Sequence, residues 1–182
     1  MSKSPELGVC YYPEHWPEEM WITDAENMIK NGISWVRIAE FAWSRIEPSS
    51  GVFDWNWLDK IVDILGSNGL KIVMCTPTAT PPKWLVDQMP DMVAIDENGQ
   101  ARKFGSRRHY SFSHIGYQKE SQRITKAVAE RYGQNNFVKA WQTDNEFGCH
   151  ETTYSWCLST LREFRIWLEK KYKKKYNIKK YC

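Results

Sequence analysis

Four times along the chain, a short apolar run gives way to a longer stretch with apolar residues at helical spacing. That alternation constrains the fold more than any other feature. The runs are "LGVCYYP" (Leu7 to Pro13), "SWVRIAEF" (Ser34 to Phe41), "KIVMCTP" (Lys71 to Pro77) and "FVKAWQTDNE" (Phe137 to Glu146). The third is almost wholly apolar, as suits a strand covered on both faces. The first helix is expected from about Pro17, a good first helical residue, to Gly32, with Trp21, Ala25, Met28 and Ile29 on one face. A second carries Leu58, Ile61, Val62 and Leu65 and stops at "SNG" (67–69). A third runs from about Gln118 to Tyr132, and a fourth from about Thr153 to Tyr172 with Cys157, Leu161, Phe164 and Leu168 inward. Strands alternating with helices argue an α/β fold with a parallel sheet. No linker or short repeat interrupts it, so residues 1–182 read as one region.

Composition narrows the function classes. With 42% hydrophobic and 26% charged residues, the chain can bury a core without disulfides. A net charge of +3 is too small to argue for nucleic acid. No apolar run follows Lys3, and no stretch of about 18 apolar residues could span a membrane, so neither a signal peptide nor a membrane partner is expected. Of five cysteines, Cys10 and Cys75 lie in the strand runs and read as buried, reduced thiols, which favours the cytoplasm. Ten Trp, nine Tyr and seven Phe serve either as core or as platforms for sugar rings. The Lys-rich tail after Glu169 reads as a solvated helix end, with an isolated nucleic-acid patch as the alternative.

Polar residues gather just after each strand: Glu14 and His15, Glu40, Thr76 to Thr80, and Asn145 with Glu146. In barrels and open α/β sheets the site lies beyond the carboxyl ends of the strands. No glycine-rich phosphate loop follows any of them, which weakens a nucleotide-binding reading. The segment from Thr78 to Ser113 is too long for a passive connection. On residues alone, Asn145–Glu146 is either an ordinary turn or an acid with its positioning partner. Glu14, His15 and Glu40 either touch a ligand or build a hydrogen-bond network at the rim. Trp43 and Trp84 are either sugar platforms or core, and His109 and His114 read as loop scaffolding.

"GVCYYPEHWPEEMW", "VRIAEFAWSRIEPSSGVFDW", "TPTATPPKWL", "RRHYSFS" and "WQTDNEFGCH" occur here in that order. Together they resemble the glycoside hydrolase family 42 β-galactosidases, from about Gly8 to Tyr172. The resemblance implies the first half, about four βα units, of a TIM (β/α)8 barrel that hydrolyses terminal β-D-galactosides with retention. It implies that Glu146 is the general acid/base, that Asn145 hydrogen-bonds the sugar 2-hydroxyl, and that Arg107 binds the glycone, with Arg108 as the alternative. A β-galactoside or oligosaccharide is the implied partner, no cofactor is implied, and full-length relatives are often trimers, so a homo-oligomer is expected.

Elementary chemistry supports those roles. A glycosidic oxygen is a poor leaving group and must be protonated as its bond breaks; the same group later deprotonates water. The aromatic neighbours Trp141 and Phe147 are expected to desolvate Glu146. A contact to the 2-hydroxyl strengthens as the ring becomes oxocarbenium-like, which suits an amide at Asn145.

Two departures qualify the resemblance. A retaining mechanism needs a second carboxylate about 5–5.5 Å from the first. The family's nucleophile is a Glu on a later strand, the seventh, and no residue here matches it, so the chain alone is expected to be inactive. Some members also hold a structural zinc through four cysteines, whose positions correspond here to Ser111, Ser155, Cys157 and Thr160. Only one thiol survives, so no metal is expected. A non-catalytic carbohydrate-binding half-barrel and an inactive remnant are the competing readings.

Overall fold

The computed structural model describes residues 5–106, 108–149 and 152–176, the last four as backbone only. Four strands form one sheet: β1 (Leu7–Cys10), β2 (Ile33–Ile38), β3 (Lys71–Cys75) and β4 (Val138–Gln142). They pair in consecutive order and all in parallel, with Val9 opposite Val36, Val36 opposite Ile72, and Met74 opposite Trp141. The helices are α1 (Trp21–Lys30), a short α2 (Trp43–Ile46), α3 (Asn56–Ser67), α4 (Lys83–Gln88), α5 (Ile115–Tyr132) and α6 (Leu158–Tyr176). Consecutive parallel strands, each followed in the chain by helix, are what the expected first half of a (β/α)8 barrel requires.

The described residues fall into two units. One comprises Met1–Trp84 with Arg123–Asn145 and contains the whole sheet. Its core gathers Val36, Ile38, Ile72 and Met74 from the central strands, Trp21 and Ala25 from α1, and Leu58, Ile61 and Leu65 from α3. Ile124 and Val128, on the part of α5 in this unit, are buried as well. Each large aliphatic side chain contributes about 1.5–3 kcal/mol by leaving water. Helix α3 has no room for a side chain at Gly66, where a Cβ would lie 2.0 Å from the Phe137 ring. A buried carboxylate, Glu47, fixes the turn after α2. It accepts from Trp43 Nε1 (3.0 Å), Gly51 N (2.7 Å) and Arg123 Nη2 (2.8 Å).

The second unit comprises Leu85–Gln122 with Glu146–Cys182. Its first segment is built rather than loose. Bridges join Val93 to Tyr110 and Ile95 to Ala101, and Asp96 closes the turn between Ile95 and Ala101 by accepting from Asn98 N and Gln100 N (2.9 Å each). Met92, Tyr110 and Tyr117 are buried, the two tyrosine rings 4.3 Å apart.

Several expectations need correction. The first strand stops at Cys10, and a 3-10 turn, Pro13–His15, follows it, because a proline cannot donate to the ladder. A 3-10 turn, Glu18–Met20, precedes α1. Helix α5 begins at Ile115, ahead of Gln118, because His114 Nδ1 accepts from Tyr117 N (3.1 Å) and serves its first turn. Helix α6 begins at Leu158, well after Thr153, because Ser155 is tied to another segment, its hydroxyl accepting from Ile95 N (3.1 Å). Of its residues expected inward, Leu161 and Phe164 are 39% and 53% exposed, whereas Cys157 is buried. Periodicity identifies an apolar face but not a surface to cover it. Ile29 of α1 is exposed for the same reason. Cys75 is buried but Cys10 is exposed, since β1 is an edge strand. No helix among the described residues is long and apolar enough to cross a membrane.

Candidate active site

Left-handed backbone marks the chain beyond the strands. Ala39 (φ 69°), Asp144 (φ 55°) and Glu146 (φ 47°) are non-glycine residues at positive φ. Each such residue costs about 1–2 kcal/mol and needs support from its surroundings. Asp144 has that support: its N–H donates to Thr76 Oγ1 (2.8 Å), and Thr78 Oγ1 donates to its Oδ2 (2.8 Å). Its Oδ1 accepts from Asn145 N (2.6 Å). The threonines after β3 therefore shape the turn after β4.

A polar chain joins three strand ends of the sheet unit. Tyr12 donates to Glu40 Oε2 (3.0 Å), and Arg37 Nη2 donates to the same oxygen (2.6 Å). Arg37 Nη1 donates to Gln142 Oε1 (2.7 Å). Gln142 Nε2 then faces the Asp144 carbonyl (2.8 Å) and, at the limit of a hydrogen bond, Asn145 Oδ1 (3.5 Å). Because the Gln142 oxygen is committed to Arg37, its NH2 must point at Asn145, which leaves the Asn145 amide protons free to face elsewhere. Burial, and then the Glu40 carboxylate, push the Tyr12 phenol up, so it stays a donor. Glu40 thus belongs to a rim network. Glu14 differs: both its carboxylate oxygens are shut away from water without a partner side chain among the described residues. Burial pushes this carboxyl up; its own backbone N–H, His15 and Arg45 only partly oppose that.

In the second unit Glu146 is exposed, and its carbonyl accepts from Gly148 N (2.7 Å) and Cys149 N (3.1 Å) in a tight turn. Of the aromatic neighbours expected to desolvate it, Trp141 is 40% exposed and Phe147 62%. Trp141 lies on an edge strand, and Phe147 on a turn at the surface. Arg107 lies outside the described residues. Its neighbour Arg108 is buried at positive φ (49°), with its guanidinium over the rings of Phe112 (5.3 Å) and Phe147 (5.4 Å).

Trp43 is wholly buried, and half-buried Trp84 donates to the Glu47 carbonyl (3.0 Å). His109 is buried with Nδ1 3.0 Å from the Ser106 carbonyl, and burial pushes its pKa down. His114 meets Asp91 (3.2 Å) and starts α5.

Ser111, Ser155, Cys157 and Thr160 do converge. Ser111 Oγ lies 3.0 Å from Thr160 Oγ1, and the Cys157 sulfur lies 3.3 Å from Thr160 Oγ1 and 3.1 Å from Ser159 Oγ. Burial pushes the Cys157 thiol up. Hydrogen bonds from Ser111, Ser155, Ser159 and Thr160 outweigh it and bring the thiol down to about 6. One thiol with three neutral hydroxyls does not fit zinc, which takes thiolate, imidazole or carboxylate. No group of three His, Cys, Asp or Glu side chains suited to a metal occurs among the described residues.

Sequence reasoning missed Arg37, Gln142 and Glu47. Arg37 carried a usable signal: a charge inside the apolar run "WVRI" must find a partner when the strand is covered.

The family profile described as Beta-galactosidase matches residues 10–181. The β-galactosidase of Thermus thermophilus is 52% identical over 166 residues, 91% of this chain and 26% of that protein. That of Halorubrum lacusprofundi is 50% identical, over 91% of this chain and 24% of its own length. The crystal structure of β-galactosidase from the psychrophilic Marinomonas ef1 superposes with a TM-score of 0.91 at 54% identity, over 93% of this chain and 26% of that one. This chain spans about a quarter of the length of the relatives it matches. It belongs to glycoside hydrolase family 42, the β-galactosidases.

Proposed function

We propose that this chain carries the proton-donor part of a site that hydrolyses terminal β-D-galactosides with retention. In this reading Glu146 protonates the departing glycosidic oxygen and later takes a proton from water. Asn145 donates to the sugar 2-hydroxyl, and Arg107 binds the glycone. The observation that carries the reading is the placement of Asn145–Glu146 directly beyond β4, with Asn145 positioned by Gln142 and, through it, by Arg37.

The attacking carboxylate is not among these residues in our reading. Several carboxylates are committed to structure, Glu40 to Arg37 and Tyr12, Asp144 to Thr78 and Asn145 N, and Glu47 to the turn after α2; Glu14 has no partner side chain among the described residues, but burial favours its protonated form. Proton donation alone contributes on the order of 10²–10⁴-fold, a small part of what glycoside hydrolysis requires.

Placing the aligned 166 residues of this chain into the Thermus thermophilus β-galactosidase, in place of its own matching segment, tests the role of Glu146. In that chimera, Glu146→Ala should depress kcat/KM for lactose by about 10²–10⁴-fold and kcat/KM for a dinitrophenyl β-galactoside far less, because kcat/KM reports the first step and that leaving group departs without a proton. Equal losses on both substrates, or none on lactose, would remove Glu146 from the role.

A further inference from the structure

Three segments of the second unit meet at one sulfur. Ser111 follows the Tyr110 bridge, Ser155 sits before α6, and Cys157 to Thr160 span the start of that helix. The contacts are close and mutual: Ser111 to Thr160, Thr160 to Cys157, and Cys157 to Ser159, at 3.0–3.3 Å. Ser155 Oγ adds two backbone donors, Ile95 N (3.1 Å) and Cys157 N (3.3 Å). Trp156 N donates to the Ile95 carbonyl (2.9 Å), so main chain and side chains fasten the same two segments.

The two side-chain contacts within the set, Ser111 to Thr160 (3.0 Å) and Cys157 to Thr160 (3.3 Å), fall a little inside the roughly 3.7 Å between ligands held about 2.3 Å from a tetrahedral metal. The donor set does not suit zinc. A neutral hydroxyl is a poor zinc ligand, and three of them cannot replace three thiolates. Each hydroxyl is, however, both donor and acceptor, so the four side chains can satisfy one another without an ion.

We propose that Ser111, Ser155, Cys157 and Thr160 form a metal-free staple, in which hydrogen bonds around one thiol fasten the segment after Met92 to the start of α6. The cage is ready for zinc in position but not in chemistry. Replacing its hydroxyls with thiols would convert it.

Zinc content and thermal melting of the 182-residue chain, with and without EDTA, test this. The natural chain, incubated with zinc and dialysed, should retain no stoichiometric metal, and EDTA should leave its Tm unchanged. The variant Ser111→Cys/Ser155→Cys/Thr160→Cys should bind about one zinc per chain, give the charge-transfer and visible bands of a tetrahedral cobalt thiolate, and lose Tm in EDTA. Thr160→Val removes one hydroxyl at constant shape. It should lower the Tm by about 2–4 °C for each kcal/mol of hydrogen bonding lost, equally with and without EDTA, even if the triple variant fails to fold. Stoichiometric zinc in the natural chain, released by Cys157→Ser, would overturn the proposal. A folded triple variant that binds no metal, or an unchanged Tm for Thr160→Val, would overturn the convergence on which it rests.

Discussion

Arg37 shows how far single residues could be read. Its charge within β2 announced a partner, but not that Glu40 and Gln142 would share it, because Gln142 is 105 residues away. Glu47 was invisible in the same way: "EPSSG" reads as a turn, and Arg123, which completes its coordination, stands 76 residues on. Removing that carboxylate with Glu47→Ala should cost about 3 kcal/mol, measured by denaturant unfolding. The position of Asn145 and Glu146 just after a strand could be read from the sequence, whereas the exposure of Glu146 could not. Two titrating groups give tests of sign. The folded Glu14 carboxyl holds its proton more tightly than an ordinary one. Its penalty is therefore absent below the usual carboxylate range and grows as pH rises through the raised value. Glu14→Gln should then be more stable than the natural chain at neutral pH, with the advantage vanishing in acid. The Cys157 thiol is shifted the other way, to about 6. Its stabilising contribution is present above the ordinary thiol range and is lost as pH falls through that value. Ultraviolet thiolate absorbance should titrate near pH 6 and disappear in Cys157→Ser; a midpoint in the ordinary thiol range would contradict the hydrogen-bonded cluster.

Among the elements, α3 was read well because its apolar residues all meet the sheet core: Leu58, Ile61, Val62 and Leu65 are buried as their spacing requires. Gly66 adds what periodicity could not supply. The helix approaches Phe137 closely enough that Gly66→Ala should cost about 1–3 kcal/mol by overpacking, and a compensating Phe137→Leu should recover part of it. Chemical denaturation of the two variants checks this, and an unchanged Gly66→Ala would show that the ring moves aside freely. The starts of α5 and α6 were misplaced because capping by His114 and tethering of Ser155 are matters of tertiary geometry. Propensity over a window does not contain them.

At the scale of the whole molecule, the alternation of strands and helices was enough to give a consecutive parallel sheet, because right-handed βα crossovers leave few other arrangements. It could not say what covers the apolar surface left over. β1 and β4 are both edges, and Leu7, Trp141, Phe164 and Trp167 are 61%, 40%, 53% and 47% exposed. Unpaired strand edges and exposed apolar side chains favour association. Light scattering of the purified chain should show mass rising with concentration, and Phe164→Glu/Trp167→Glu should reduce it. In the function proposed above, Glu146 donates the proton while the attacking carboxylate lies outside these residues. Hydrolysis of a nitrophenyl β-galactoside by the pure 182-residue chain tests it most directly. No turnover above buffer is expected; turnover abolished by Glu146→Gln would mean that a carboxylate within this chain attacks the sugar.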